Sequence, residues 1–224
     1  MRKSLLWRTA LATLPAGAAV AAAAWVVFLS PVLGVREVVV TGNLTLPAEQ
    51  VRRAAAVAPD TPLVTVDLEQ VRARVAALRA VESARVVRDW PGTLRIKVVE
   101  RTPLASARMS GKMAVVDRFG VVLDLVDVAP PRLPLLRVHR LDPADPAVRA
   151  ALAVLDALPE SLSRLVDEVS AGSAENVTFR LNDGRTVVWG GRDRAADKSR
   201  ILTTLLRESA MTFDVSSPDV VTVK

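Results

Sequence analysis

Beyond residue 34 the apolar positions follow two periods, and each change of period marks a new element. "VREVVVTGN" (35–43) alternates briefly and stops at Gly42-Asn43, a short strand and its turn. "LPAEQVRRAAAV" (46–57) follows, with Pro47 suited to the first helical position and Glu49 to the first turn. In "TPLVTVDLEQVRARVAALRAV" (61–81), Leu68, Val71, Val75 and Leu78 recur at helical spacing. Asp67 is placed to cap that helix, with Gln70 three residues on, and Glu69, Arg72, Arg74 and Arg79 form its solvated side. "ESARVVRD" (82–89) then runs into Trp90-Pro91-Gly92, after which Leu94, Ile96 and Val98 alternate with Thr93, Arg95 and Lys97. Proline presets φ and glycine accepts φ > 0, so this tripeptide is the turn of an antiparallel hairpin, with Trp90 expected to pack locally beside it. The order strand, helix, helix, strand, strand is a β-α-α-β-β unit with its own two-layer core.

From Thr102 onward strands dominate. "LASARM" (104–109) and "MAVVD" (113–117) flank Gly111-Lys112, and "MAVVDRFGVVLD" (113–124) turns at Arg118-Phe119-Gly120. "PPRLPLLRVH" (130–139) reads as a proline-rich connection. Asp145-Pro146 opens a helix with Val148, Leu152 and Leu155 on one face, ended by Pro159. "LVDEVS" (165–170) is followed by "NVTFRLNDGRTVVWG" (176–190), where Asp183-Gly184 is a strong hairpin signal. A helix from Arg194 to Arg207 carries Ile201, Leu202 and Leu205. The last stretch, "MTFDVSSPDVVTVK" (211–224), reads as two short strands broken at Ser217-Pro218. The fold class is α+β.

The N-terminus changes the picture. Residues 9–35 carry no charge and follow Arg2, Lys3 and Arg8. About 20 apolar residues span a bilayer as a helix, and basic residues before the span hold that end in the cytoplasm. A cleaved signal peptide is the competing reading, with small residues at Ala22 to Ala24, but the apolar run continues through Trp25-Val26-Val27-Phe28-Leu29 and favours an uncleaved anchor. Residues 1–8 then form a short cytoplasmic tail, and the remaining bulk lies outside in a single-pass plasma-membrane topology.

Composition and chemistry narrow the rest. Net charge is +6, carried mostly by arginine, which suits anionic headgroups or wall polymers and equally reflects an Ala/Val/Arg-rich base composition. There is no cysteine, hence no disulfide and no thiolate metal site. The one histidine, His139, sits in the proline-rich stretch, and no P-loop, nucleophile elbow or ligand spacing is present. Asp167 and Glu168 are adjacent, so in a strand they face opposite sides and cannot act as a carboxylate pair. "GGRDR" (190–194) is better read as a turn than as an anion-binding helix start. The arginines are dispersed among few aromatics, against nucleic-acid binding. No catalytic, cofactor or metal residue is assigned, and the class is binding or scaffolding.

One anchor, then "VREVVVTGN", two helices and "VESARVVRDWPGTLRIKVVERTPLA" resemble the POTRA module of the bacterial FtsQ (DivIB) cell-division family, with Trp-Pro-x-x-Leu-x-Ile-x-Val-x-Glu-Arg its most recognisable run. "GKMAVVDRFGVVLD", "LPLL", "VVWG" before "DKSRILTTLL" and "FDVSSPDVVTV" agree in order, and the composition is similar to that of actinobacterial members. The resemblance implies a transmembrane helix over 9–33, a POTRA domain over 34–102 meeting its neighbour near Glu100-Arg101, and a mainly antiparallel β-domain with two helices over 103–224. It further implies partnership with the membrane proteins FtsL and FtsB (DivIC), recruitment of septal peptidoglycan synthases, and location at the division septum. A terminal strand offers an unpaired edge, and the family engages FtsB near this end, so Phe213, Val215, Ser217, Val220, Val221 and Val223 are the expected partner-binding residues. Chain length weighs against the other POTRA-bearing class, outer-membrane transport and chaperone proteins that continue into a barrel, and the missing constellation weighs against an anchored cell-wall enzyme.

Overall fold

The computed structural model describes Trp25, residues 33–220 and residues 222–223. The expected tail (1–8), nearly all of the expected anchor (9–33) and Val221 lie outside the described residues. Among those described, no helix is long and apolar enough to cross a membrane. The chain divides into two compact units between Arg101 and Thr102.

The first unit holds β1 (Glu37–Thr41), α1 (Ala48–Ala55), α2 (Leu68–Ala76), β2 (Val81–Asp89) and β3 (Thr93–Glu100). The sheet order is β1-β3-β2, with β1 parallel to β3 (Glu37 opposite Thr93) and β2 antiparallel to it. Pro47 precedes α1 as its cap rather than opening it, and Ala56 ends it in the left-handed region. The Asp67 carboxylate accepts the Gln70 N–H at 3.0 Å, the cap that the sequence spacing predicts. Val51, Ala55, Val71 and Val75 bury their stripe against Leu94, Ile96 and Val98, each well-buried aliphatic side chain contributing about 1.5–3 kcal/mol.

Glu100, at the end of β3, ties the β1–α1 loop to the sheet. Its carboxylate accepts the N–H groups of Leu44, Thr45 and Leu46 and the Thr45 hydroxyl. Desolvation alone would raise its pKa. The hydrogen bonds from the Thr45 hydroxyl and the amides of Leu46, Thr45 and Leu44 outweigh it and hold the pKa down at about 2, against an ordinary 4.5. A lowered folded-state pKa means stability that is complete above the unfolded value and is lost as pH falls from about 4.5 toward 2. Because the group is near solvent, Glu100→Gln should cost only about 1–2 kcal/mol at neutral pH. The variant should also flatten the acid limb of a melting-temperature–pH curve, and an unchanged limb would refute this assignment.

The second unit holds β4 (Ala105–Met109), β5 (Lys112–Val116), β6 (Val122–Val126), β7 (Leu135–Arg137), α3 (Pro146–Ala157), α4 (Glu160–Ser163), β8 (Val166–Ser173), β9 (Asn176–Leu181), β10 (Thr186–Gly190), α5 (Ala195–Leu205), β11 (Thr212–Asp214) and β12 (Thr222–Val223). All nine strands form one sheet in the order β12-β11-β10-β9-β8-β7-β4-β5-β6. It is antiparallel except along β4–β7–β8 and β10–β11. α3, capped by the Asp145 carboxylate on the Ala147 N–H at 2.8 Å, buries Val148, Ala151, Leu152 and Leu155 in the core shared with β8 and β9. The rings of Phe179 and Trp189 meet there at 5.5 Å, tilted by 57°.

Three expectations are corrected. Among the described residues the second unit holds three helices instead of two, because Pro159 both ends α3 and caps the one-turn α4. The proline-rich "PPRLPLLRVH" is more than a connection, because Leu135–Arg137 forms β7 in the middle of the sheet, parallel to both neighbours. Three residues flanked by proline show no alternation, so no periodicity announces the strand. Asp167 and Glu168 do not simply face opposite sides. The β8–β9 register slips between Val166 and Glu168, and this bulge lets Arg180 reach both carboxylates, at 3.1 and 3.0 Å.

Candidate partner-binding edge

At one border of the second sheet the chain passes through β10, α5, β11 and β12, and four local features fix its course. First, Gly190 adopts φ +76°, and a Cβ there would lie 2.8 Å from the Ser216 side chain, so only glycine lets β10 end against the C-terminal segment. Second, Lys198 of α5 is fully buried. Its ammonium donates to the Gly191 carbonyl at 3.0 Å, lies 3.4 Å from the Asp193 carboxylate and sits 5.9 Å from the Trp189 ring centroid. The loop 190–194 is thereby folded onto the helix start. A Cβ at Gly191 would lie 2.2 Å from the Glu175 carboxylate and 3.0 Å from that of Asp193, which makes the stretch a crowded turn unsuited to an anion.

Third, Arg194, in the left-handed region at φ +50°, donates to Asp219 at 2.8 Å and to Asp197 at 3.2 Å. The Asp219 carboxylate, then that of Asp197, holds its pKa above the ordinary arginine value. This pair joins the start of α5 to the segment that leads into β12. Fourth, the Asp214 carboxylate accepts the Ser216 N–H at 3.0 Å, and Val215 N–H donates to the Val188 carbonyl at 2.9 Å, continuing the parallel β10–β11 pairing.

The expected partner-binding residues separate into two sets within this frame. Phe213 and Val215 are completely buried, and Phe213 lies opposite Val187 of β10 with the Arg185 guanidinium 5.5 Å from its ring centroid. β11 has neighbours on both sides, so the unpaired edge belongs to β12, where Val223 pairs Phe213 and Thr222 pairs Asp214. Ser217 is exposed and accepts the Val220 N–H at 3.1 Å in the connecting turn. Val220 is 72% exposed and Val223 41% exposed, values that set them apart from ordinary core valines. Arg194 and Asp219 escaped the sequence reading because two charges 25 residues apart give no local signal.

Trp90, Pro91 and Gly92 do form the β2–β3 turn, with a cis Trp90–Pro91 bond. Trp90 is 51% exposed and belongs to neither core, so it sits at the rim of the turn and not in a buried site. Among the described residues, no three of His, Asp and Glu come together as metal ligands, and His139 lies exposed.

Residues 33–101 match the FtsQ-type POTRA domain, and residues 105–221 match the C-terminal domain of cell division protein FtsQ/DivIB. The chain belongs to the FtsQ/DivIB family. It is 41% identical over 222 residues to "Cell division protein FtsQ" of Mycolicibacterium smegmatis, covering 99% of this chain and 65% of that one. The FtsQ of Mycobacterium tuberculosis is 40% identical, covering 99% of this chain and 69% of its own length. That of Streptomyces venezuelae is 37% identical over 94% of this chain and 82% of its own. The chain therefore spans about two thirds of the mycobacterial relatives' length. A solved structure of the major extracytoplasmic domain of DivIB from Geobacillus stearothermophilus aligns with a TM-score of 0.38 at 20% identity, covering 49% of this chain and 97% of that one. The sequence resemblance to actinobacterial FtsQ is thus met by both domain matches and by relatives over nearly the whole chain.

Proposed function

We propose that this chain is a non-enzymatic scaffold of the division machinery, anchored in the plasma membrane by residues 9–33 with its N-terminus in the cytoplasm. Its β12 edge and the preceding turn receive an extended segment of an FtsB (DivIC) homologue. Together with an FtsL homologue, that contact recruits and regulates the septal peptidoglycan synthase complex. The observation that carries the reading is the border of the nine-stranded sheet. A short strand with a free backbone edge, carrying the exposed Val223 and preceded by the exposed Val220, is held in register from below by Phe213 and Val215 and from the side by Arg194–Asp219. Main-chain hydrogen bonds along such an edge supply affinity, and alternate side chains supply selectivity.

The test substitutes the rim and spares the core. Val223→Asp, alone and with Val220→Asp, removes apolar contact and places charge where a partner strand would lie. Capture of the FtsB homologue from detergent-solubilised membranes should fall at least about tenfold, equivalent to about 1.4 kcal/mol. The melting temperature should barely move, because surface substitutions stay within about 0.5 kcal/mol. Undiminished capture by the double variant would remove β12 from the interface.

A further inference from the structure

Trp90 is the wrong residue to leave in water, and the hydrogen bonds around it say where it sits. Residues 9–35 are uncharged and Arg36 is the first charge after Arg8, so the apolar run ends at the threshold of the first unit. There is no slack between the two. Gly34 bridges Pro62, Val35 N–H donates to the Thr61 carbonyl at 2.9 Å, and Asp60 N–H donates to the Val35 carbonyl at 3.0 Å. Arg36 N–H then donates to the Gly92 carbonyl at 2.8 Å. Gly92 is buried in this clasp, where a Cβ would meet the Gly34 carbonyl at 3.0 Å and the Arg36 side chain at 3.3 Å. The turn carrying Trp90 and Pro91, both exposed, is therefore bonded to the chain one to three residues beyond the apolar run.

Two extended residues reach at most about 7 Å. The headgroup layer on each side of the hydrocarbon is about 5–7 Å thick. A turn so closely tied to the end of a membrane span lies within that layer, which is where an indole, apolar with one polar N–H, is favoured. The charges around the turn offer no alternative driving force. Arg36, Arg88 and Arg95 are matched by Glu37, Asp60 and Asp89, which sums to zero. Of these, Arg95 pairs Asp89, and the Arg88 guanidinium donates to the carbonyls of Leu63, Val64 and Val66.

We propose that Trp90, with Pro91 beside it, is an interfacial anchor that inserts at the headgroup–acyl boundary of the bilayer and fixes how the first unit stands on the membrane. This rests on the reading that residues 9–33 cross the membrane. The attraction comes from the indole, so zwitterionic lipid suffices and salt has no effect.

Tryptophans are few enough to test this directly. In a full-length Trp7→Phe/Trp25→Phe chain only Trp90 and Trp189 remain, and Trp189 is fully buried. Reconstituted in brominated phosphatidylcholine liposomes, this chain should lose the Trp90 part of its emission, and water-soluble acrylamide should quench Trp90 poorly, with or without added salt. Adding Trp90→Phe should abolish the brominated-lipid quenching while the melting temperature stays put, as expected for a half-exposed side chain. Leu44→Trp added to the chain that lacks Trp90, at a position 87% exposed beside the Glu100 end of β3 and about 23 Å from Thr93, should give emission quenched by acrylamide only. A chain that fails to float with liposomes would overturn the anchor reading and this proposal together. A liposome-bound chain whose Trp90 is quenched by acrylamide and not by brominated lipid would overturn this proposal alone. Protection of Trp90 that arises only on adding the FtsB homologue would likewise overturn it, marking a protein contact instead.

Discussion

Phe213→Ala should destabilise the second unit by about 3–5 kcal/mol, the range for emptying a fully buried phenylalanine site. Phe213 has no exposed surface, lies opposite Val187 in the parallel β10–β11 pairing, and carries β12 on its other side through the Phe213–Val223 pair. The loss is therefore larger than one side chain's contacts. β11 is a three-residue strand whose remaining anchor in the core is Val215, so a cavity at 213 loosens the platform on which the edge is displayed. Thermal unfolding should show the transition of the second unit, Thr102–Lys224, lowered by about 10 °C or more, given roughly 4 °C per kcal/mol at this length. Phe213→Leu should recover most of the stability. The two hydrophobic cores share no residue, so the transition of the first unit should be unaffected. A melting curve for Phe213→Ala matching the parent would mean that β11 is not fixed through its ring.

Much of this architecture is legible in the residues because local rules agree with tertiary ones. Asp67 and Asp145 cap the helices that their spacing announces, and Asp183-Gly184 turns the β9–β10 hairpin. The alternation in Leu94, Ile96 and Val98 faces the core as read. What stays hidden is whatever depends on contacts between distant segments. β7 is a strand because β4 and β8 pair with it, and its own sequence is mostly proline-flanked leucine. Lys198 is fully buried although a lysine in an amphipathic helix is ordinarily assigned to water; the Gly191 carbonyl and the Trp189 face compensate it, and both are brought there by the fold. The exposure of Trp90 is hidden in the same way, since it follows from a turn closed on Arg36, which leaves the ring outside. In the candidate edge, the position of the C-terminal stretch was legible, whereas the division between Phe213 and Val215 as supports and Val220 and Val223 as rim required the sheet order.

Deleting residues 219–224 should abolish capture of the FtsB homologue while leaving both units folded. The deletion removes β12, a two-residue exposed strand, and the Asp219 carboxylate, which is 73% exposed. Neither contributes much to stability, because a solvent-exposed ion pair is screened and no core residue is lost. The melting temperature should therefore shift by a few degrees at most, in contrast to the collapse expected for Phe213→Ala. Binding should respond in the opposite way. The truncated chain loses the free edge, the rim valines and the Arg194–Asp219 link that sets their register, so capture should drop by more than about 100-fold, or about 2.8 kcal/mol. The comparison separates a supporting role from a contacting one, since one variant unfolds the platform and the other removes only what it displays. One result would defeat the assignment: the truncated protein melts normally and still captures the partner in full, for instance because a partner strand pairs with the newly bared edge of β11. The selective surface would then lie elsewhere on the sheet, and the terminal residues would serve only to cover it.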